Sequence, residues 1–190
     1  QEWIWGYREN DQLGGHDPYS ASKSCAEIMF SSYMKSFFNN KNTIGAASVR
    51  AGNVIGGGDW SENRIIPDVI KSIENKKKII IRNPKSTRPW QHVLDPLLGY
   101  LILGMKAYNN NNFSGSYNFG PDNDAVLTVK DVVNQISKRL NIKKKNILFN
   151  NKKSKFKEAN LLKLNCDKAK DRIRWYPKIS SKMSIDLACD

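Results

Sequence analysis

The apolar positions change period several times along the chain, and those changes mark out its elements. Phe30, Tyr33, Met34 and Phe37 recur at the i, i+3, i+4, i+7 spacing of one helical face, which predicts a helix with that stripe buried. Asp17 suits its N-cap, Pro18 its first position, and Asn39-Asn40 its end. Thr43 to Val49, short, apolar and uncharged, reads as a buried strand, and Gly52 with Gly56 to Gly58 as a loop. Further on, the spacing predicts helices over Ile65 to Ile73, Leu94 to Tyr108 and Thr128 to Leu140, and strands over Ile79 to Arg82 and Ser116 to Phe119. Gln1 to Gly15, rich in aromatics, Gly and Asp, reads as an extended segment closed by a turn at Gly14-Gly15. Asn109 to Asn112 form a loop, and the tail beyond Leu140 shows no single period. Helices alternating with short strands point to an α/β sheet, and there is no internal repeat.

A length of 190 residues at 39% hydrophobic content suffices for a globular core and excludes fibrous and disordered classes. No apolar run approaches the roughly 18 to 20 residues of a membrane-spanning helix, so no membrane partner is expected. Cys25, Cys166 and Cys189 are odd in number and far apart, which suggests neither a disulfide framework nor a zinc cage and fits a reducing cytoplasm. His16 and Asp17 have no third ligand in view, so no metal is expected. The chain starts at Gln1 with neither a methionine nor a secretory signal, and reads as a fragment of a longer protein.

The net charge of +13 would suggest nucleic acid if it were spread over the chain. It is not. Residues 1–74 carry seven basic and nine acidic side chains, whereas residues 75–190 carry 24 basic and nine acidic ones. The excess is lysine interleaved with asparagine, without helix-turn-helix or zinc-finger spacing. We read it as solvated surface and expect no nucleic-acid partner, a basic RNA-binding module being the minor alternative.

Tyr19 and Lys23 stand four apart at the head of the first helix, on one face and one turn from each other. An ammonium about 4 Å from a phenol, at an effective dielectric of about 20, favours the phenolate by about 4 kcal/mol, roughly three pKa units. The pair can therefore make a base from a tyrosine, and the lysine can also hold a ribose hydroxyl. The spacing alone is common on helix surfaces.

The surroundings of that pair narrow its meaning. Pro18-Tyr19-Ser20-Ala21-Ser22-Lys23, then Ala26-Glu27, then a strand and Arg50-Ala51-Gly52-Asn53-Val54-Ile55-Gly56, resembles the extended short-chain dehydrogenase/reductase superfamily. Gly14 to Tyr19, Gly56-Gly57-Gly58-Asp59-Trp60, Arg64-Ile65-Ile66-Pro67-Asp68 and Arg88-Pro89-Trp90-Gln91-His92-Val93, in that order, are similar to its CDP-glucose 4,6-dehydratase family. The resemblance implies an α/β fold: the C-terminal part of a Rossmann-type enzyme, with residues 1–60 left from the NAD-binding domain and 61–190 mostly binding a nucleotide sugar. Residues from about 91 to 120 would return to the Rossmann core.

The resemblance further implies NAD as cofactor, a CDP-hexose as substrate and a homodimer in the cytoplasm. The hexose would be oxidised at C4, lose water across C5 and C6, and regain hydride at C6, in deoxysugar synthesis for surface polysaccharide. Tyr19 would be the base, and Lys23 its activator and a cofactor ligand. Asn53, Arg64, Ile79, Ile81, Arg88, His92, Asn123 and Glu158 would hold the substrate. For several of these the residues also allow plainer parts: a turn for Asn53, strand core for Ile79 and Ile81, solvated positions for Asn123 and Glu158. Lys157 departs from the histidine usual before the Glu-Ala pair. The family's glycine-rich dinucleotide turn and its Thr-Ser-Asp-Lys segment, which supplies the acid and base for water loss, would lie upstream of Gln1. An epimerase, or a dehydratase of another nucleotide sugar, is the alternative within the same fold.

Overall fold

A computed structural model describes residues 5–15, 17–38, 44–81, 83–122, 127–149 and 162–190. The first helix, α1 (Pro18–Tyr33), is capped as the sequence predicts: Asp17 accepts from the Ser20 amide, with Pro18 in the first turn. A wider π turn, Met34–Phe38, continues it. The predicted stripe is not buried, however. Phe30 and Met34 are half-buried, while Tyr33 and Phe37 are exposed with their rings 5.3 Å apart. The line facing the sheet is instead Ser20, Ser24, Glu27 and Phe30, and α1 has no fully buried residue.

Strands β1 (Ala47–Ala51) and β6 (Gly115–Phe119) pair in parallel, from Ala47 opposite Gly115 to Ala51 opposite Phe119. Between them in sequence lie β2 (Asn53–Ile55), α2 (Ile65–Glu74), β3 (Ile79–Ile81), β4 (Thr87–Arg88), β5 (Trp90–His92) and α3 (Leu94–Asn109). After β6 come β7 (Leu127–Thr128), α4 (Val129–Arg139), β8 (Ile147–Phe149), α5 (Asp167–Ile173) and α6 (Ser181–Cys189). β2 pairs with β5 and β3 with β8 in parallel, and β4 with β7 antiparallel. Helices α2, α3 and α4 fall where the periodicity places them. The strand expected over Thr43 to Val49 is described over Ala47–Ala51, and the loop expected from Gly52 begins only at Gly56, because β2 intervenes.

Two apolar clusters hold these pieces. One gathers Ile66 and Val69 of α2, Ile79 and Ile81 of β3, Trp90 of β5, Val132, Val133 and Ile136 of α4 and Ile185 of α6. The other gathers Leu103 of α3, Tyr117 and Phe119 of β6, Ala169 and Ile173 of α5, and Trp175. In the second, Phe119 lies edge-on between Tyr100 and Trp175, at centroid distances of 5.2 and 4.9 Å. Asp95, buried in the first turn of α3, ties down the C-terminal segment. Its carboxylate accepts from the Lys178 and Ile179 amides, both at 3.0 Å, and its carbonyl from the Trp175 indole at 3.1 Å.

Gly99 of α3 lets the helix close onto these rings, since a Cβ there would meet Phe119 at 2.3 Å and the Trp175 indole nitrogen at 3.0 Å. Gly99→Ala gains about 1 kcal/mol of helix propensity but overpacks a ring held on both sides, at a cost of about 1–3 kcal/mol. The overpacking should win, and chemical denaturation of the full-length protein should show a lowered midpoint with the m-value unchanged.

Candidate active site

Tyr19 occupies the second position of α1 and is 70% exposed. The serines around it are turned back onto the helix: Ser22 Oγ donates to the Tyr19 carbonyl at 2.7 Å and Ser24 Oγ to the Ser20 carbonyl at 2.9 Å. Ser20 donates through its amide and its hydroxyl to Asp17, which holds that carboxyl below its ordinary range and keeps it an anionic cap. Lys23 comes back over Tyr19, its Nζ 5.5 Å from the ring centroid. Among the described residues no carboxylate pairs with this ammonium. An exposed phenol with an unneutralised ammonium one turn away is a donor set suited to ribose and sugar hydroxyls.

Tyr19 opens on a cavity of about 340 Å³ with Ala51, Gly52, Asn53, Val54, Asp59, Arg64, Leu162 and Leu164 around it. A second cavity, of about 380 Å³, runs on from it and is also walled by Asn53, Val54, Asp59 and Arg64. Its further walls include Ile79, Ile80 and Ile81 of β3, Arg88 of β4, Trp90 of β5, Asn83 and Ser86. The result is a two-lobed cleft with Tyr19 at one end, Arg88 and the isoleucines at the other, and Asn53, Asp59 and Arg64 at the waist.

The cleft thus gathers Tyr19, Asn53, Arg64, Ile79, Ile81 and Arg88, all singled out from sequence. Ile79 and Ile81 are each 3% exposed and belong to the apolar core, so what they offer the cleft is a packed floor. Arg88 is half-buried, and its Nη1 donates to the Thr87 carbonyl at 2.8 Å. His92 lines neither lobe: it is buried, and its Nδ1 accepts the Leu94 amide at 3.4 Å where β5 passes into α3. Asn123 and Glu158, with Lys157 and His16, lie outside the described residues.

Sequence reasoning passed over Asp59. Its Oδ1 accepts the Ser61 amide at 3.0 Å, and bonds from Ser61, aided by the nearby charges of Arg64 and Lys71, hold its carboxyl below the usual range. Its signal was present in the sequence, as a carboxylate ending a glycine-rich loop directly after a strand. Cys166 is excluded from the chemistry, because burial, reinforced by Glu9, pushes its thiol up to about 12.

A tyrosine opening on a two-lobed cleft, with a lysine one turn on over its ring, at the head of a helix beside parallel strands of an α/β fold, defines an extended short-chain dehydrogenase fold. The chain belongs to the GDP-mannose 4,6 dehydratase family, whose model matches residues 5–187. It is 46% identical over 183 residues, 94% of its own length, to the CDP-glucose 4,6-dehydratase of Salmonella typhimurium. Among solved structures it is similar to the dTDP-glucose 4,6-dehydratase of Bacillus anthracis in complex with NAD (TM-score 0.79, 23% identity, 96% of this chain and 54% of that one). It is also similar to the UDP-glucose 4-epimerase of Thermotoga maritima with UDP-glucose (TM-score 0.79, 16% identity, all of this chain and 57% of that one). The chain spans half the length of the Salmonella enzyme.

Gly52 is where the cleft is tightest, since a Cβ there would meet the Pro89 carbonyl at 2.7 Å and its ring at 2.8 Å. Gly52→Ala should push Pro89, and with it Arg88, away from β2. Chemical denaturation should show a lowered midpoint, with an unchanged far-ultraviolet spectrum in the absence of denaturant.

Proposed function

We propose that the chain supplies the base and the nucleotide-sugar cleft of an NAD-dependent CDP-glucose 4,6-dehydratase. The observation that carries this reading is the shared waist of the cleft. A phenol, with the Lys23 ammonium over its ring, opens on one lobe, an arginine and an apolar floor line the other, and a second arginine with an amide lies between them. That sequence of groups matches the order hexose, diphosphate, nucleoside. The 46% identity to an enzyme named for CDP-glucose favours this substrate over other nucleotide sugars.

In this mechanism Tyr19, as the phenolate that the Lys23 ammonium favours, accepts the proton of the C4 hydroxyl at its Oη and becomes the neutral phenol, while Lys23 also donates to a ribose hydroxyl. Tyr19 and Lys23 would hold NAD, which would supply the hydride acceptor for C4 and the hydride donor for C6. A ketone at C4 acidifies the C5 proton, so that water can leave across C5 and C6. Asn53, Arg64 and Arg88 hold the diphosphate, the guanidinium forks matching its oxygens. The isoleucine floor of β3 packs on the base.

The rest of the reading follows the family. Residues 1–60 complete an NAD-binding domain and 61–190 mostly bind the substrate. The enzyme works in the cytoplasm, in deoxysugar synthesis for O-antigen or a similar polysaccharide, and needs no nucleic acid or membrane. No helix among the described residues is long and apolar enough to cross a membrane. Ile28, Met29, Tyr33 and Phe37, exposed together along α1 and its continuation, support a homodimer closed over that helix.

Full-length protein offered CDP-glucose, dTDP-glucose and GDP-mannose, with mass spectrometry following loss of one water, should convert the CDP sugar best. A 4-epimer without water loss would favour an epimerase instead. Tyr19→Phe should lower kcat about 10²- to 10⁴-fold, the usual worth of a positioned base. Arg64→Ala and Arg88→Ala should mainly raise KM, each by about tenfold or more, as charge-assisted bonds of about 1.5–3 kcal/mol are lost.

A further inference from the structure

Helix α1 presents an unusual inner face. A helix normally docks through an apolar stripe, but this one turns Ser20, Ser24 and Glu27 toward the sheet before reaching Phe30, and none of its residues is fully buried. Among the described residues, the hydrogen bonds that tie this face to the sheet converge on one carboxylate. Glu27 Oε2 accepts from Arg50 Nη2 at 2.8 Å and Ser48 Oγ at 2.9 Å, both on β1, and from Ser116 Oγ on β6 at 3.2 Å. The Ser48 and Ser116 hydroxyl oxygens lie 2.8 Å apart, within hydrogen-bond reach of each other. Arg50 reaches on through Nη1 to the Glu9 carbonyl at 3.1 Å, and Glu9 in turn accepts the Asn118 amide at 2.9 Å.

The pair is mostly out of solvent, at 14% exposure for the Glu27 side chain and 22% for Arg50. Led by the Arg50 bond, these contacts hold the Glu27 carboxyl below the usual glutamate range, so it is a full anion at neutral pH. Such a half-buried pair, with its remaining lone pairs met by hydroxyls, escapes the screening that makes surface pairs weak. Glu27 lines neither lobe of the cleft, so it does not act on substrate directly.

Its leverage comes from its place in the sequence. Lys23 lies one turn before Glu27 and Tyr19 two turns before, about 12 Å along the axis. A tilt of about 5° about Glu27 would move Tyr19 by about 1 Å over that arm. A misplacement of that size is worth about 10² in rate. At the other end of the pair, Arg50 directly precedes Ala51, Gly52 and Asn53, which wall the lobe that Tyr19 faces. We propose that Glu27, paired with Arg50, is the positioning residue for Tyr19 and Lys23, setting how the base-bearing helix lies over the strand that leads into the cleft. This rests on the reading of Tyr19 as the base.

The test uses the full-length enzyme with CDP-glucose and NAD, measuring kcat, KM and thermal stability. Glu27→Gln keeps the shape and loses the charge, and it should lower kcat about 10- to 100-fold with KM for the CDP sugar within about twofold, since Asn53, Arg64 and Arg88 lie on other elements. Arg50→Lys should retain most of kcat and Arg50→Gln should not. The double variant that combines Glu27→Gln with Arg50→Gln should fall no further than either single one. Unchanged kcat with a lowered melting temperature, or kcat and KM changing together, would overturn the proposal. If Glu27→Gln does not fold, Glu27→Asp decides: a fall in kcat at unchanged melting temperature supports the positioning role, and full activity overturns it. A wild type that forms no keto sugar, or a Tyr19→Phe variant that still does, overturns the catalytic reading itself and this inference with it. With both of those controls as expected, a normal kcat in Glu27→Gln removes only the positioning role.

Discussion

The carbonyl of Phe119 is the joint on which the site depends. It ends β6 and accepts two hydrogen bonds, from the Gly52 amide at 3.1 Å and from Gln91 Nε2 at 2.9 Å. The first leads the chain out of β1 into β2, where Asn53 begins the waist of the cleft. The second comes from a fully buried side chain on β5, the strand that follows Arg88 and Pro89. One acceptor with two lone pairs therefore couples the β1–β6 pair, which receives the helix bearing Tyr19, to the β2–β5 pair, which carries the far lobe. Its cost if broken is high, because each orphaned buried donor loses about 1–3 kcal/mol. The neighbouring apolar packing makes the joint rigid: Phe119 is itself wedged between Tyr100 and Trp175.

Around that joint the two ends of the cleft are held by different physics. The far lobe is built on apolar burial, with β3, β5, α2, α4 and α6 sharing one cluster whose central side chains are almost wholly out of water. The near lobe is held by charge and hydroxyls, through Glu27, Arg50, Ser48 and Ser116. Apolar packing tolerates small shifts without losing contact, which suits a floor that only has to cover a base. A charged fastening with directional bonds fixes an angle, which suits a helix whose first two turns carry Tyr19 and Lys23, the proposed base and its activator. The positive excess of the C-terminal region is only partly solvated. Lys168 is half-buried, donates to the Ser116 carbonyl at 2.7 Å and lies 4.4 Å over the Tyr117 ring, and burial lowers its pKa. Lys170 pairs with Asp122 at 2.6 Å.

These contrasts explain what could be read from the chain alone. Helix α1 and its chemistry were legible because capping and the Tyr19–Lys23 spacing are local signals, carried by adjacent residues. The cleft residues Asn53, Arg64 and Arg88 were legible only as members of ordered motifs, since no period marks them. Strands of two or three residues, β2, β4, β5 and β7 among them, are too short to show alternation, so no strand was expected where they frame the cleft. The stripe on α1 failed for a different reason. Periodicity tells which side chains share a face but not whether anything covers that face, and the contact side of α1 is polar. Trp175, Cys166 and Ile173 sit in the unpatterned tail and yet complete the core, because their partners lie some fifty or more residues away on β6 and α3.

The waist of the cleft raises a question of sign that the same geometry answers. Asp59, held ionised, and Asp68 both border the cleft, which by itself would repel a diphosphate. Against them stand the Arg64 guanidinium and the N-terminus of α2. Arg64 is the N-cap of that helix but makes no side-chain capping bond, so its charge is not spent on the helix. The first amides of α2, at Ile65 and Ile66, border the same cavity and add the positive end of a ten-residue helix. Charge-assisted bonds of about 1.5–3 kcal/mol each outweigh a carboxylate facing solvent, whose field water screens. An anion is therefore favoured on the Arg64 and Asn53 side of the waist and disfavoured on the Asp59 side, where neutral hydroxyls that donate to a carboxylate fit instead. Asp59 also walls the lobe of Tyr19, so that lobe suits neutral hydroxyls that donate to a carboxylate, as the proposed sugar end of the substrate would.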